Sequence, residues 1–272
     1  MAYLTVYEQI LKMWQSFQIE SQADLEKHLR NFRTLFAYHS GKIENEAISF
    51  NDTREIFENG KVIQFNGNPR TLFEQQNQKV CYEYLLPHLE KKTPITIDFI
   101  KEVHRVLTEG TYDERRYIHN GERPGEFKVG DYVTGIHEVG AAAVHVKEDL
   151  ESLLAEINGV EVTPENALTI ATYFHANFEY IHPFADGNGR VGRTLLNYYL
   201  MIHGHPPLII YEENKNLYYE ALQKYDEAEE IAALKEFFKY QIECTWEKQL
   251  TLFQGERQEK SYKLNDILEE NY

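Results

Sequence analysis

The twelve residues from His182 to Arg193, HPFADGNGRVGR, gather a histidine, a carboxylate, an amide, three glycines and two arginines into one short stretch. Those residue types together serve polyphosphate chemistry. An imidazole with an ordinary pKa of about 6.5 can take a proton from an attacking hydroxyl. Asp186 can hold a hard cation, Arg190 and Arg193 can meet phosphate oxygens in fork geometry, and the glycines let backbone N–H groups approach an anion closely.

Other templates overlap on these positions and fail on context. Gly187, Gly189 and Gly192 satisfy G-x-G-x-x-G, and Gly187 to Thr194 nearly satisfy a P-loop with Arg193 in place of lysine. Both motifs need an apolar strand directly before them, whereas a helical pattern and His182-Pro183-Phe184 come before this one. An EF-hand fails because Asn197 stands where a bidentate glutamate is required. Singly, His182 reads as the cap of a buried turn, Asp186 as a turn residue, and the arginines as partners of nearby acids. It is their joint spacing that points to a site.

The elements that must position this stretch read mostly as helices. Ser21 and Asp24 form an N-cap and its N3 acid, and Leu25, Leu29, Phe32 and Phe36 follow at helical spacing up to Ser40-Gly41. A second pattern runs from Thr71 to about Lys91 with Leu72, Val80, Tyr84 and Leu85 facing the core, and a third from Thr96 to Thr108. Between about Gly110 and Val146 the helical period is lost and glycines punctuate short runs such as YVTGI, as loops and a hairpin would. Thr163-Pro164-Glu165 opens the next helix, apolar on more than one face and therefore buried. The glycine-bearing turn follows, and a further helix starts from it and stops at Gly204 before Pro206-Pro207. Free N–H groups and the helix dipole at that start form a ready anion site. A last acidic helix is expected from about Asp226 to Gly255, with a charged, frayed tail beyond.

Composition excludes several classes. The formal net charge of −16, from 28 basic and 44 acidic side chains, would repel a nucleic-acid backbone and leaves no polybasic membrane patch. Cys81 and Cys244 have no metal or disulfide spacing. His39, His104, His137 and His145 show no ligand spacing either and read as structural or surface groups. No run of about 18 apolar residues and no basic leader occur, so a soluble cytoplasmic protein forming one compact unit is expected.

From His182 to Arg193 the chain resembles the Fic family signature, H-P-F-x-D/E-G-N-G-R-x-x-R, at every specified position. The similarity extends to the preceding helix, to the loop PGEFKVGDYVTG, and to Asn197, Leu200, Gly204, Pro206 and Pro207 beyond it. The resemblance implies an all-α, mainly helical fold with a small β-hairpin flap. It also implies an N-terminal helical region over 1–94, a catalytic core over 95–220 and a C-terminal helical extension over 221–272. It implies an enzyme, a protein adenylyltransferase that moves AMP from ATP, with Mg2+, to a Ser, Thr or Tyr hydroxyl of a target protein.

Carried onto this chain, the resemblance makes His182 the general base and Phe184 an inward anchor of the turn. Asp186 becomes the Mg2+ ligand, and Gly187, Asn188, Gly189 and Arg190 the phosphate cradle, with Arg190 on the β-phosphate and Arg193 on the γ-phosphate. Ser40 to Asn45, SGKIEN, match the inhibitory pattern [S/T]-x-x-x-E-[G/N], so Glu44 would take the place that the γ-phosphate needs at Arg193. The loop from about Gly125 to Gly140 would be the flap that aligns the target by strand addition, with Tyr132, Val133 and Thr134 at its edge. Tyr218, Tyr219 and Asp226 would border the adenine pocket. The chain departs from the family at Lys128, where arginine is frequent, at Ala141-Ala142-Ala143, where a proline is expected, and at Asp226, where some relatives carry asparagine. The same core also accommodates removal of AMP, transfer of phosphocholine, or ATP sensing without turnover. Self-modification and homo-oligomerisation stay open; no nucleic-acid or membrane partner is expected.

Overall fold

The computed structural model describes residues 4–134 and 138–269, with side chains described outside 133–139 and up to residue 255. Helix α1 (Val6–Ser16) is opened by a capping box between Thr5 and Glu8, and α2 (Gln22–Glu44) by one between Ser21 and Asp24. Helix α3 (Phe50–Asn59) follows the N-cap Ser49, α4 (Pro69–Glu90) the pair Asn68-Pro69, and α5 (Ile97–Thr108) the N-cap Thr96. A short π-helical turn, Arg115–His119, leads to a hairpin of β1 (Val133–Thr134) and β2 (Glu138–Val139). The strands are antiparallel, with Val133 opposite Val139 and Thr134 opposite Glu138. Then come α6 (Val146–Asn158), α7 (Ala167–Ile181), α8 (Asn188–Ile202), a 3-10 turn at Glu212–Asn214, α9 (Lys215–Ala228) and α10 (Ala232–Glu269).

Helices α7 and α8 form the centre. They pack on each other, α2, α4 and α5 lie against α8, and α10 closes over α7, α9 and α1. One apolar cluster runs through the fold from Ile10 to Leu250 and includes the fully buried Phe174, Phe178, Leu195 and Leu200. Burial of each such side chain contributes roughly 1.5–3 kcal/mol. Helix α8 is buried on every face, so Arg190 and Arg193 in its first turns are buried cations that need a protein partner or a ligand.

The helix ends bear on the site. Helix α8 stops where Gly204 turns left-handed at φ 72°. Beyond it, Asn197 clamps the chain by accepting the Leu208 N–H at 2.7 Å and donating to the Leu208 carbonyl at 2.9 Å.

Several expectations need correction. Helix α2 does not end at Ser40-Gly41 but continues through Glu44, because Gly41 lies where a Cβ would meet Gln75 at 2.3 Å and Ile48 at 2.7 Å. Glycine serves there for close approach of neighbouring segments. Val80 is exposed, not core-facing, while Cys81 and Leu85 on the same helix are buried. The helix expected from Thr163 opens at Ala167: Thr163 and Asn166 exchange side-chain-to-backbone hydrogen bonds and hold a turn before it. The expected last acidic helix is two helices, broken at Glu229, which turns left-handed at φ 54°, and α10 stays helical past Gly255 to Glu269. Gly135 and His137 lie outside the described residues. No helix among the described residues is long and apolar enough to cross a membrane.

Candidate active site

The turn between α7 and α8 is built around two buried rings. His182 ends α7 in the left-handed conformation (φ 50°), its N–H donating to the Phe178 carbonyl. Phe184 is fully buried and stacks on His104 of α5 with ring centroids 3.7 Å apart. His104 donates through Nε2 to the Asp186 carbonyl at 2.9 Å and accepts the Gly125 N–H on Nδ1 at 2.8 Å. These two partners fix the tautomer, and burial keeps the ring neutral by lowering its pKa to about 3. Asn188 locks the same turn, accepting the Phe184 N–H at 2.9 Å and donating to the Phe184 carbonyl at 2.7 Å. Its side chain is thus committed to the backbone, and what Asn188 can offer an anion is its own N–H in the first turn of α8.

A cleft of about 530 Å3 opens over this helix start, lined by His182, Asp186, Gly187 to Arg190, Glu44 and Arg70 among others. His182 is pushed down to about 4, first by burial and then by the neighbouring Lys128, and its ring hydrogen-bonds the Glu179 carbonyl. A neutral ring that donates one N–H to a carbonyl keeps its other nitrogen free as a base. Arg190 is 3% exposed, and neither Nε nor Nη1 has a hydrogen-bond partner among the described residues. A buried guanidinium with free donors beside a helix N-terminus is a seat for an anion.

Arg193 is engaged. It donates from Nε to Ser40 Oγ at 3.0 Å, and from Nη2 to the Ser40 carbonyl and to Glu44 Oε1, each at 2.8 Å. Although burial opposes its charge, Glu44 holds its pKa above the ordinary arginine value. The chain segments contributing this ion pair are 149 residues apart in sequence.

The family model for Fic/DOC matches residues 94–200. Over 240 residues, 86% of this chain, the sequence is 31% identical to the protein adenylyltransferase Fic of Drosophila persimilis, covering 43% of that protein. The chain belongs to the Fic family. It is also 28% identical over 229 residues to protein adenylyltransferase fic-1 of Caenorhabditis elegans, covering 82% of this chain and 41% of that one. The chain therefore spans less than half the length of these curated relatives. Among solved structures it superposes on a Fic domain-containing signaling protein from Bacteroides thetaiotaomicron with a TM-score of 0.75 at 24% identity, covering 91% and 95% of the two chains. With Fic-1 from C. elegans the TM-score is 0.73 at 22% identity, covering 92% and 72%. At such identities these two structures establish the all-α Fic fold.

Within this Fic fold the remaining expected residues are distributed unevenly. The chain leaving β2 passes against His182: a Cβ built at Gly140 would stand 2.9 Å from His182 Cβ. Lys128 ties the flap to the motif, its N–H donating to the Pro183 carbonyl at 2.9 Å and its Nζ to the Ile181 carbonyl at 3.3 Å. Tyr132 donates to Glu122, which also accepts the Val129 N–H at 3.2 Å. Val133 and Thr134 are placed by their backbone in β1, while their side chains lie outside the described residues. Tyr218 is buried, with its hydroxyl 2.7 Å from His175 Nε2, so its ring is part of the core. Tyr219, 43% exposed and 5.2 Å from Tyr218 between ring centroids, is the one of the two with an open face. Asp226 lies in the last turn of α9, within electrostatic reach of Glu179.

Sequence reasoning missed the residues that surround Asp186 from outside the motif. Arg70 donates from Nη2 to Asp186 Oδ2 at 2.7 Å and from Nε to Glu74 Oε1 at 2.9 Å, and Arg116 Nη1 is 3.7 Å from the same Asp186 oxygen. Arg70 and Glu74 at i and i+4 were a visible helical pair; nothing local could reveal that the pair reaches a carboxylate 116 positions later. Burial raises the Asp186 pKa, but Arg190, Arg70 and Arg116 outweigh it and hold the carboxyl below its usual range. Among the described residues no group of three or more His, Cys, Asp or Glu could hold a metal by itself. A single carboxylate beside an anion cradle fits a Mg2+ that takes most of its ligands from phosphates and water.

Proposed function

We propose that this chain transfers AMP from ATP to a Ser, Thr or Tyr hydroxyl of a target protein and that Glu44 restrains it in cis. The observation that carries the reading is the cleft itself, where a neutral histidine, a carboxylate, a helix N-terminus and a buried arginine with free donors converge. Relatives at 28% and 31% identity bear the name protein adenylyltransferase, which supports the same choice of reaction.

In this reading the polyphosphate rests on the N–H groups at the start of α8 and on Arg190, and its γ-phosphate pairs with Arg193 once Glu44 has left. The target oxygen attacks the α-phosphorus, its proton passes to His182, and the bond from the α-phosphorus to the bridging oxygen breaks, releasing pyrophosphate. Proton removal of this kind contributes about 10²–10⁴-fold to rate. Asp186 would hold Mg2+, which when bound neutralises charge on the leaving phosphates. The flap backbone beside His182 would present the target segment by strand addition. Asn188, Phe184 and His104 keep the turn rigid so that the amides remain aimed at the anion.

The test uses ATP labelled at its α-phosphate, Mg2+, a cell lysate as target source, and three proteins: wild type, Glu44→Gly, and Glu44→Gly with His182→Ala. Protein-bound label rises in the single variant and is lost in the double variant, and adduct mass identifies an adenylyl group. Absence of label in Glu44→Gly, with ATP binding measured directly, would overturn the reading in favour of an ATP sensor. A phosphocholine adduct would overturn it in favour of another donor.

A further inference from the structure

Three guanidinium groups stand around Asp186. Arg70 Nη2 hydrogen-bonds Oδ2 at 2.7 Å, Arg116 Nη1 is 3.7 Å from the same oxygen, and Arg190 Nη2 is 3.6 Å from Oδ1. Two other carboxylates pair with these arginines: Glu74, which binds Arg70 Nε at 2.9 Å and lies 3.8 Å from Arg190 Nη1, and Asp113, whose Oδ2 is 3.3 Å from Arg116 Nη1. Three cations thus face three carboxylates, and the one carboxylate suited to a metal already carries a charge-assisted hydrogen bond, the strongest ordinary class.

A divalent cation on Asp186 would sit within a few ångströms of the Arg70 guanidinium, in a half-buried site where like charges are weakly screened. The two cannot share the carboxylate at low cost. Of the three arginines, Arg70 is the one able to yield. Its side chain is 33% exposed, whereas that of Arg190 is 3% exposed and fixed in the first turn of α8. Arg116 is equally exposed but only grazes the carboxylate. Arg70 opens α4, and its Nε tether to Glu74 lets the outer nitrogens swing away while the charge stays on the cleft wall. Glu74 is itself held in place by Asn45 Nδ2 at 2.8 Å.

We propose that Arg70 is a built-in counter-ion that closes the cation site at Asp186, so that a divalent cation binds the empty protein only by displacing it. The inference rests on the reading of Asp186 as the metal ligand. A cation then enters efficiently only in company with a polyphosphate, whose negative charge offsets the arginines. Arg70 is in this sense a positioning residue, setting the order in which cation and nucleotide load.

The experiment titrates Mn2+ into nucleotide-free protein and follows free Mn2+ by electron paramagnetic resonance, with circular dichroism confirming that each variant is folded. Arg70→Ala binds Mn2+ at least about fivefold more tightly than wild type. Arg70→Lys, which keeps the charge, shows a much smaller gain, and Asp186→Asn placed on Arg70→Ala abolishes the gain. An unchanged affinity in Arg70→Ala, including no detectable binding in either protein, overturns the proposal, as does a gain that survives Asp186→Asn. The readout is independent of group transfer. An unchanged Mn2+ affinity in Arg70→Ala with adenylyl transfer intact sinks this inference alone, and a clear Mn2+ gain in a protein that transfers no AMP sinks only the proposed function.

Discussion

Arg193 and Glu44 form an asymmetric pair: the arginine side chain is 2% exposed and the glutamate side chain 38% exposed, with 2.8 Å between Nη2 and Oε1. The cation is fixed in the central helix and also held by Ser40, while the anion stands at the end of α2 with one side in water. An incoming phosphate therefore competes with the more easily exchanged partner. A charge-assisted hydrogen bond contributes about 1.5–3 kcal/mol, less where solvent screens it.

Glu44→Gly should accordingly tighten ATP binding by about 5–30-fold, the equivalent of about 1–2 kcal/mol after that discount. Isothermal titration with a non-hydrolysable analogue reads this directly. Equal affinities in wild type and variant would mean that the pair does not compete with nucleotide.

Gly189→Ala should break the same pair without activating the protein. The added Cβ would stand 2.4 Å from Glu44 Oε1 and 2.8 Å from Arg193 Nη1, on the floor where an anion must approach. Combined with Glu44→Gly, it should weaken ATP binding about tenfold relative to Glu44→Gly alone, the loss of roughly one hydrogen bond to a charged group. Unimpaired binding in the double variant would show that the phosphates keep clear of Gly189.

His182→Ala should reduce transfer by about 10²–10⁴-fold while leaving ATP affinity nearly unchanged, because the ring is assigned to the proton and not to the nucleotide. With its pKa lowered to about 4, chiefly by burial, the ring is neutral above that pH. The acid limb of kcat/KM should therefore fall near pH 4 and not near the ordinary histidine value. A limb at about 6.5 in folded protein would contradict the burial of His182.

Asn188→Ala removes both hydrogen bonds that clamp Phe184 and leaves buried backbone groups unpaired. The expected loss is about 2–4 kcal/mol, seen as a lowered Tm, with nucleotide binding falling as well because the first turn of α8 loosens. Asn188→Asp should be intermediate, since a carboxylate can accept the Phe184 N–H but cannot donate to its carbonyl.

Stability should change with pH in two opposed windows. His104 and His175 titrate at about 3 and His182 and His205 at about 4 in the folded chain, all lowered from 6.5 chiefly by burial. Between those values and 6.5 the unfolded chain binds more protons, so their contribution to stability falls as the solution is acidified through that range. Glu179 runs the other way: burial raises it from 4.5 to about 8, so between those values the folded chain holds the extra proton and stability falls as pH rises from 4.5 through about 8. Thermal unfolding from pH 4 to 9 should show the Glu179 slope alone between about 6.5 and 8, and Glu179→Gln should flatten it there and steepen the acid slope below 6.5, where the two effects oppose each other.

The chemistry was legible in the linear chain because it is local. His182, Asp186 and Arg190 stand within nine positions, and helix periodicity before and after them already put the turn at a helix start. The capping signal at Ser21 was readable for the same reason, since a cap is a contact over three residues. Periodicity also located the loss of helix after Gly110, although the two-residue strands carry too few positions to show an alternation. The SGKIEN segment was recognisable only through its match to a family pattern, and its partner was named by that match.

What folding added is everything that depends on distance through space. Gly41 reads as a helix stop until another segment is seen pressing against it, and Glu229 reads as mid-helix until the backbone turns left-handed there. Helix boundaries at these places follow from packing, which overrides local propensity. The arginines around Asp186 come from three separate segments, α4, the π-helical turn and α8, and their charges act on one carboxylate only because the tertiary fold brings them within 4 Å of it. Residue types state which interactions are available, and burial and distance determine which ones are made and how strongly.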